Sequence, residues 1–308
     1  MVIELGKSYQ FFGRIDQMNG STYDDFPVNV TCEDMDKVIV RVTKGTQLLV
    51  NKIYYIEALA AEFKDKVHLK ASKVELMSAM KISDIEKERL MRAFYDYAPI
   101  SLPELKHGIE SYLNRLENEA IKAITFDIFT RYSEDFYLYP AATKFHHAYI
   151  SGLAYHTLTM LKLSDGMIQV YPFLNQDLII AGIVLHDVTK ILEFDTYEGS
   201  EYTLQGKLVG HITLGVNEIA LTAERLGYAN LEEIMLLEHI ILSHHYYGNF
   251  GSPKKPNIAE ALIIHFIDNI DSKVAVLGEA LAEVDQGTFT ESLGVLDKER
   301  YYKHKLSK

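Results

Sequence analysis

The spacing of apolar residues changes near Met80 and divides the chain into two parts. Before that point, short runs are rich in aromatic and β-branched residues, and Val38, Val40 and Val42 alternate with charged or exposed neighbours. A period of two is typical of β-strands. Five such runs in about 80 residues predict a small barrel, with the OB fold as the leading candidate. The runs lie at 9–16, 26–33, 36–42, 52–63 and 66–77, with a hairpin predicted between the last two.

After Met80 the apolar residues recur at helical spacing. Ser83 followed by Glu86 is a capping-box pattern and predicts the start of a helix. Further helices are predicted at 102–136, 147–164, 176–186, 208–227, 231–244 and 257–285, with Gly and Pro clusters between several of them. The sequence therefore predicts a multidomain chain, in which an all-β, OB-like barrel over 1–82 precedes an all-α part.

The charge is unevenly distributed along the chain. Residues 1–82 are neutral, with 11 basic and 11 acidic side chains, and the remainder holds 20 basic and 32 acidic side chains, which is the whole net charge of −12. A basic field typical of nucleic-acid binding is therefore absent, and an anionic substrate must be held by local cations or bound metal. The segment 298–308 is locally basic and carries two tyrosines. We interpret it as solvated, with contact to a phosphate chain as the alternative.

Cysteine content and hydropathy indicate the compartment. The one cysteine, Cys32, precludes an intramolecular disulfide and fits a reducing environment. The first ten residues lack the features of a signal peptide, and no apolar run approaches the roughly 18 residues of a membrane helix. We therefore expect a cytoplasmic protein with no membrane segment.

Histidines and aspartates cluster in the second part, where nine of the twelve histidines fall between 146 and 268. His156 lies at the edge of an apolar helical face, and His186 and Asp187 end the apolar run 178–185. Asp268 shares a helical stripe with Ile264, where a carboxylate is unfavourable unless it is paired or bound to metal. Three more histidines lie at predicted helix ends: His211, His244 and His245.

A single histidine beside a core is usually just hydrogen-bonded, but this combination in one helical domain indicates more. Imidazole nitrogens and carboxylate oxygens suit divalent metals such as Mn, Fe, Zn and Ni. A carboxylate can bridge two ions about 3.5–4 Å apart, an arrangement found in phosphate-cleaving sites. The pattern therefore predicts a divalent-metal site that acts on phosphate esters.

The order His156, His186–Asp187, Asp268 resembles the H…HD…D signature of the HD-domain phosphohydrolases. Five stretches in order are more specifically similar to the YhaM-type 3′–5′ exoribonuclease family: YPAATKFHHAYISGLAYH, HDVTK, LVGHI, LSHHYYGNFGSPKKP and HFIDNIDSK. That family joins an N-terminal OB fold to an HD domain. The resemblance implies a nucleic-acid-binding barrel over 1–82, a helical connector over 83–140 and an HD domain over 141–308.

The resemblance also implies an activity and a set of roles. The reaction is metal-dependent 3′–5′ hydrolysis of single-stranded RNA, and single-stranded DNA is a further candidate substrate. Two divalent ions are implied, Mn²⁺ first, with Fe, Ni, Co and Zn as alternatives. The assembly implied is a homo-oligomer.

The carried-over residues fall into three groups. The first ion is held by His156, His186, Asp187 and Asp268, and the second by Asp187, His211 and His244, with His245 as an alternative. The implied catalytic residues are Asp187 and Lys190, and Lys190 also faces a substrate phosphate. The implied substrate contacts are Thr143, Lys144 and His147.

Two features depart from the family pattern. Thr189 replaces the glycine usual in HDLGK, so the turn would be strained if that position needs a positive φ. Four aromatic residues of the barrel have two candidate roles, stacking on bases or filling the core, and we expect them to fill the core: Phe11, Phe12, Tyr54 and Tyr55.

Two alternatives for the function stay open: an HD phosphohydrolase acting on a small nucleotide or cyclic dinucleotide, and a non-catalytic OB-fold factor that binds DNA in replication control.

Overall fold

A computed structural model describes residues 3–20, 23–64, 66–142, 147–197 and 201–306. The chain divides into two compact units, Met1–Asp96 and Tyr97–Lys308. The first unit contains the predicted barrel and the second contains the predicted helical part. Within the described ranges, no helix has the length and apolar character required to cross a bilayer.

The first unit is a closed five-stranded barrel with strand order β1-β2-β3-β5-β4. Its strands are β1 Ser8–Met18, β2 Asp25–Cys32, β3 Lys37–Thr43, β4 Ile53–Phe63 and β5 Lys66–Leu76. All neighbours pair antiparallel except β3 and β5, which are parallel. Closure leaves no unpaired edge. The predicted OB-like barrel is confirmed, and each strand overlaps a predicted run.

Alternation along the strands fills the barrel with small and β-branched side chains. Tyr54 is also part of this core, and its hydroxyl accepts a hydrogen bond from the Leu49 N–H at 2.8 Å. Phe11 packs against the core from a half-buried position. Phe12 and Tyr55 instead form an outer cross-strand pair, with ring centroids 5.4 Å apart. The expectation that the aromatics fill the core therefore applies to only part of the set.

Helix α1, Asp84–Phe94, belongs to the first unit. The predicted cap is present, since the Ser83 hydroxyl accepts a hydrogen bond from the Glu86 N–H at 3.2 Å. The carboxylate of Glu86 binds Arg89. Arg14 of β1 donates to the Phe94 carbonyl at 2.6 Å, which ties the helix end to the barrel. The compact units therefore divide near residue 96, whereas the sequence placed a boundary at 82.

The second unit is helical and is built around an apolar central helix. Its helices are α2 Leu102–Leu113, α3 Glu119–Phe136, α4 Gly152–Val170, α5 Gln176–Leu185, α6 Lys190–Glu193, α7 Leu204–Leu208, α8 His211–Leu226, α9 Glu232–Ser243 and α10 Ala259–Ala282. The residues of α5 from Asp177 to Leu185 are all buried, among α2, α3, α4, α9 and α10. A helix that is apolar on every side is stable only when surrounded in this way.

Two differences from the predicted helices are accompanied by specific contacts or backbone angles. The single helix predicted over 102–136 is two helices, and the Asp177 carboxylate accepts the N–H groups of Glu117 and Asn118 at the break. The helix predicted from 147 begins at Gly152, because His147 and Ser151 have positive φ values of 55° and 66°. Such angles are incompatible with a right-handed helix.

Candidate metal centre

Two histidines at helix ends are oriented into the second unit by the same kind of hydrogen bond. His186 and His244 are the C-cap residues of α5 and α9, and both are fully buried. The Nδ1–H of each donates at 2.7 Å to the carbonyl three residues earlier, Ile183 and Ile241 respectively. A helix end leaves such carbonyls without intrahelical partners, so the bond satisfies the backbone and fixes the ring. Each Nε2 is thereby left as a lone pair directed inward.

His211 is the first residue of α8, and a carboxylate fixes its orientation. Its Nδ1–H donates to Glu193 Oε2 at 2.9 Å, and its backbone N–H donates to Glu193 Oε1 at 3.4 Å. Glu193 ends α6 and is only 8% exposed. The bidentate contact sets both the start of α8 and the tautomer of the ring. The Nε2 of His211 then faces Asp187 Oδ1 at 3.4 Å.

His156 of α4 lies between two aspartates of α10. Its Nδ1 bonds Asp271 Oδ2 at 2.6 Å, and its Nε2 lies 3.4 Å from Asp268 Oδ1. The same Asp271 oxygen accepts from His147 Nε2 at 2.8 Å. With that proton facing Asp271, Nδ1 of a neutral His147 accepts the Tyr149 hydroxyl at 2.7 Å. Tyr149, His147 and Asp271 therefore form a hydrogen-bonded chain behind His156, with Tyr149 half-buried and the other two residues buried.

A tight backbone approach holds His147 in this chain. A Cβ at Gly152 would lie 2.0 Å from the His147 carbonyl oxygen, so only glycine fits there. The same carbonyl accepts the Ala141 N–H at 3.0 Å. Together these contacts maintain the left-handed conformation of His147, which is uncommon for a residue with a side chain.

Asp187 is at the centre of the cluster and is 3% exposed. Its Oδ2 lies 2.7 Å from Lys190 Nζ and 3.2 Å from His186 Nε2. Its Oδ1 lies 3.4 Å from His211 Nε2 and 3.9 Å from His244 Nε2. The two oxygens therefore face two different groups of histidines.

The donor atoms form overlapping sets with the spacing of metal ligands. One set contains Asp187, His211, His244 and His245, another contains His156, His186 and Asp187, and within each set the atoms lie within 4.8 Å of one another. Among the described residues, four buried atoms in these sets lack a hydrogen-bond partner: His186 Nε2, Asp187 Oδ1, His211 Nε2 and His244 Nε2. An unpaired buried polar atom costs about 1–3 kcal/mol. Their convergence around Asp187 fits the binding of divalent cations, because each of these atoms can ligate metal.

Burial and charge set the protonation of these groups. Burial, then neighbouring His245, hold the pKa of His244 well below its usual value, so its ring is neutral. Burial alone would raise the pKa of Asp187, but neighbouring positive charge, that of Lys190 included, outweighs it and keeps that carboxyl ionised. Burial would lower the pKa of His156, but hydrogen bonds to Asp268 and Asp271 raise it to about 9. The metal-free site therefore has ionised carboxylates and a neutral His244, as metal binding requires, whereas His156 must release a proton before its ring can bind metal.

The structure brings all six predicted metal ligands into this cluster. His245 is also close, with its ring centroid 4.1 Å from that of His244 and 5.3 Å from that of His211. Thr143 and Lys144 lie outside the described residues. His147 is 1% exposed and both ring nitrogens are engaged, so a substrate contact does not fit its position.

Thr189 is accommodated without the strain that its substitution for glycine suggested. Its φ and ψ are −82° and 3°, which any residue can adopt. The side chain is fully buried, and its hydroxyl donates to the His211 carbonyl at 2.7 Å. Thr189 therefore links the HDVTK turn to the first residue of α8.

Two carboxylates that position histidines were missed by sequence reasoning. Asp271 follows Asp268 by three residues, so helical periodicity places both on one side of α10. Glu193 interrupts the apolar sequence of α6 and its neighbour Phe194, a pattern that indicates a paired carboxylate. Both signals were present in the sequence, but nothing in it indicated which ring each acid would contact.

Comparisons with known proteins agree with this geometry. The model of the HD domain family matches residues 153–273. A 3′–5′ exoribonuclease YhaM from Geobacillus sp. (strain WCH70) is 40% identical over 244 residues, covering 78% of this chain and 72% of the relative. One from Bacillus pumilus (strain SAFR-032) is 42% identical over 210 residues, covering 68% and 67%. A replication protein A heterotrimer bound to ssDNA matches 29% of this chain and 69% of its own at 12% identity, but a TM-score of 0.23 establishes no shared fold.

An OB-like barrel followed by an HD domain, with histidines and aspartates grouped for divalent metal, defines an HD-domain phosphohydrolase. More particularly, the chain belongs to the YhaM family of 3′–5′ exoribonucleases. The family predicted from the five sequence stretches is therefore confirmed.

Proposed function

We propose that this protein is a metal-dependent 3′–5′ exoribonuclease that hydrolyses single-stranded RNA from its 3′ end. The observation that carries the proposal is the convergence of four buried, unpartnered donor atoms around Asp187 within the HD domain. The YhaM relatives support the reaction and its polarity. A small-nucleotide phosphohydrolase and a non-catalytic DNA-binding factor are not favoured, because the chain belongs to an exoribonuclease family.

The proposed ligands divide between two ions that share Asp187. One group is His156, His186, Asp187 and Asp268, and the other is Asp187, His211 and His244, with His245 in reserve. Mn²⁺ is the first choice for this set of nitrogens and oxygens, and Fe, Co, Ni and Zn also fit. Bound metal would lower the pKa of a coordinated water and neutralise charge on the phosphoryl oxygens.

Lys190 supplies a fixed cation beside this centre. Burial would lower its pKa, but the attraction of Asp187 raises it, so the ammonium group stays charged. Two of its three N–H donors are directed to Asp187 and to the Ala141 carbonyl, at 2.7 Å each. The third donor is the one that we assign to a substrate phosphate oxygen. Holding Asp187 and contacting phosphate are thus compatible roles for one lysine.

The barrel has a candidate surface for the RNA strand. Tyr23, from the β1–β2 connection, lies edge-on to Phe63 at the end of β4, with centroids 5.3 Å apart. Lys64 Nζ lies 5.1 Å from the Tyr23 ring. These residues occupy the two loops by which OB folds commonly bind oligonucleotides, and an aromatic–cation combination suits stacked bases and phosphates. Their role in RNA binding is a proposal that accompanies the nuclease.

The polarity of cleavage tests the proposed function. A single-stranded RNA labelled at its 5′ end should shorten in steps when Mn²⁺ is added, and a blocked 3′ end should prevent this. Chelator should stop the reaction. Single-stranded DNA and small nucleotides, including cyclic dinucleotides, belong in the same assay. Turnover of only the small substrates would contradict the proposal. Cytoplasmic location and homo-oligomeric assembly stay predictions.

A further inference from the structure

The residues after α10 form an ordered antiparallel ribbon rather than a loose segment. Residues 287–293 pair with 299–303, through hydrogen bonds such as Thr290 N–H to the Tyr301 carbonyl at 2.9 Å. Thr290 on the inner face is 1% exposed. Lys303 Nζ donates to the Val284 carbonyl at 2.7 Å, which fastens the ribbon to the chain leaving α10. Residues 287–306 are called the 287–306 ribbon below.

The outer face of the 287–306 ribbon carries an exposed aromatic pair. Phe289 and Tyr302 are direct cross-strand partners, 60% and 48% exposed, with ring centroids 5.2 Å apart. Side chains alternate between the faces of paired strands, so the next outward pair is Glu291 and Arg300. These two form an exposed ion pair at 3.3 Å. An exposed aromatic pair next to a guanidinium is suited to bind a chain that combines flat rings with negatively charged groups.

The charge of this ribbon contrasts with that of the whole protein. The 287–306 ribbon holds four cations and three acids, in a chain of net charge −12. Its cations are all in 298–306, where they accompany one acid: Lys298, Arg300, Lys303 and Lys305. The tip is a tight turn: Asp297 and Lys298 both have positive φ, at 55° and 63°, and the Glu299 N–H donates to the Leu296 carbonyl at 3.0 Å. Positive φ at both central residues matches the twist of paired strands, so this turn helps to hold the ribbon in shape.

We propose that the 287–306 ribbon binds the single-stranded RNA upstream of the nucleotide being removed. This rests on the proposed exoribonuclease function. Phe289 and Tyr302 stack on bases, and Lys298, Arg300 and Lys305 contact phosphates. Stacking on aromatic rings tolerates any base, which suits an enzyme that degrades a strand from its end.

The length of α10 sets the scale for the RNAs used in a test. Asp268 and Ala282, at the end of α10, are 14 positions apart. At about 1.5 Å per residue, that is about 21 Å along the helix axis. An RNA strand that follows α10 from the metal ligands spans this length with roughly six nucleotides, at about 3.4 Å per stacked nucleotide. We therefore expect a four-nucleotide RNA to be too short to use the ribbon and a sixteen-nucleotide RNA to be long enough.

Binding of the two RNAs by the full chain, with chelator present, tests the proposal without requiring cleavage. Fluorescence anisotropy should show that F289A/Y302A weakens binding of the sixteen-nucleotide RNA at least about fivefold. Affinity for the four-nucleotide RNA should stay within twofold. The matched control is Phe173→Ala, which removes another exposed aromatic ring of the same unit, 71% exposed. It should alter neither affinity.

A second variant covers the case in which the aromatic pair is needed to hold the ribbon together. K298Q/K305Q leaves both rings in place and should lower the salt dependence of sixteen-nucleotide binding by about one unit of slope per lysine. Unchanged affinity and salt slope in both variants would overturn the proposal. So would a change of oligomeric state in F289A/Y302A, by sedimentation, with RNA affinity intact, since the ribbon would then bind a second copy. Failure of the wild-type chain to cleave RNA would contradict the nuclease but leave these binding results interpretable.

Discussion

Glu193→Gln is the substitution that most directly tests how the second ligand group is held. Glu193 uses both oxygens on His211, accepting the ring Nδ1–H at 2.9 Å and the backbone N–H at 3.4 Å. Glutamine has one acceptor oxygen and one NH₂ group, so one of the two donors must face another donor. If the His211 ring loses its hydrogen bond, the ring rotates or changes tautomer. A proton on Nε2 then prevents that nitrogen from binding metal.

The size of the effect follows from the contacts. The hydrogen bond from the ring to a carboxylate contributes about 1.5–3 kcal/mol, and a neutral replacement about 0.5–1.5 kcal/mol. The difference of about 1–2 kcal/mol corresponds to roughly 5- to 30-fold in affinity. Substituting the hydrogen-bond partner of a metal-binding histidine typically lowers metal affinity 10- to 100-fold. We therefore expect Mn²⁺ binding to weaken by about 10-fold or somewhat more.

The assay is a calorimetric titration of metal-free protein with Mn²⁺. In Glu193→Gln one of the two binding events should shift to weaker affinity, while thermal unfolding of the metal-free protein changes by only a few degrees. The exposed Glu232 provides a matched control, and Glu232→Gln should bind metal like the wild type. Unaltered Mn²⁺ affinity in Glu193→Gln would refute the reasoning that Glu193 positions His211.

Three further predictions follow from the site and the barrel. The pKa of His156 in the folded protein, about 9, exceeds the ordinary 6.5, so its stabilisation of the metal-free protein is complete below pH 6.5 and is lost as pH rises through 9. Urea unfolding should show that the free energy of unfolding falls by up to about 3 kcal/mol over this range. A free energy of unfolding that does not change with pH would contradict this prediction. Thr189→Gly removes the hydrogen bond to the His211 carbonyl and should lower the free energy of unfolding by about 1–2 kcal/mol in the same assay. Thr189→Ser keeps a hydroxyl and should recover part of that loss. Equal stability of the wild type and both variants would show that this hydrogen bond does not contribute. Tyr23→Ala should weaken oligonucleotide binding at least about fivefold without altering metal affinity, and unchanged binding would place the barrel's contact elsewhere.

Much of the fold was predictable because its signals are local. The period of two before Met80 and the helical spacing after it depend only on which side of each element is buried. The Ser83 cap likewise depends on residues three apart. Where prediction failed, specific contacts accompany the difference: the Asp177 carboxylate accepts N–H groups at the break in 102–136, and contacts to Ala141 and Gly152 hold His147 outside α4.

The site shows the same division. The residue types and order of His156, His186, Asp187 and Asp268 were sufficient to predict a metal cluster. The orientation of each ring was not predictable, since it is set by partners from other elements, such as Glu193 for His211 and Asp271 for His156. The effect of Thr189 could not be decided from the sequence, because the backbone angles at that position, rather than the residue type, determine whether the turn is strained.

The most direct test of the whole account is Asp187→Asn, measured for metal content and for trimming of 5′-labelled RNA on the same samples. Wild-type protein should hold about two divalent ions per chain and shorten the RNA from its 3′ end. Asp187→Asn should lose metal and at least about 1000-fold in rate, because the carboxylate shared by both ligand groups becomes neutral. Asp195→Asn, at an exposed position, is the control and should match the wild type. Undiminished metal content and trimming in Asp187→Asn would contradict the account.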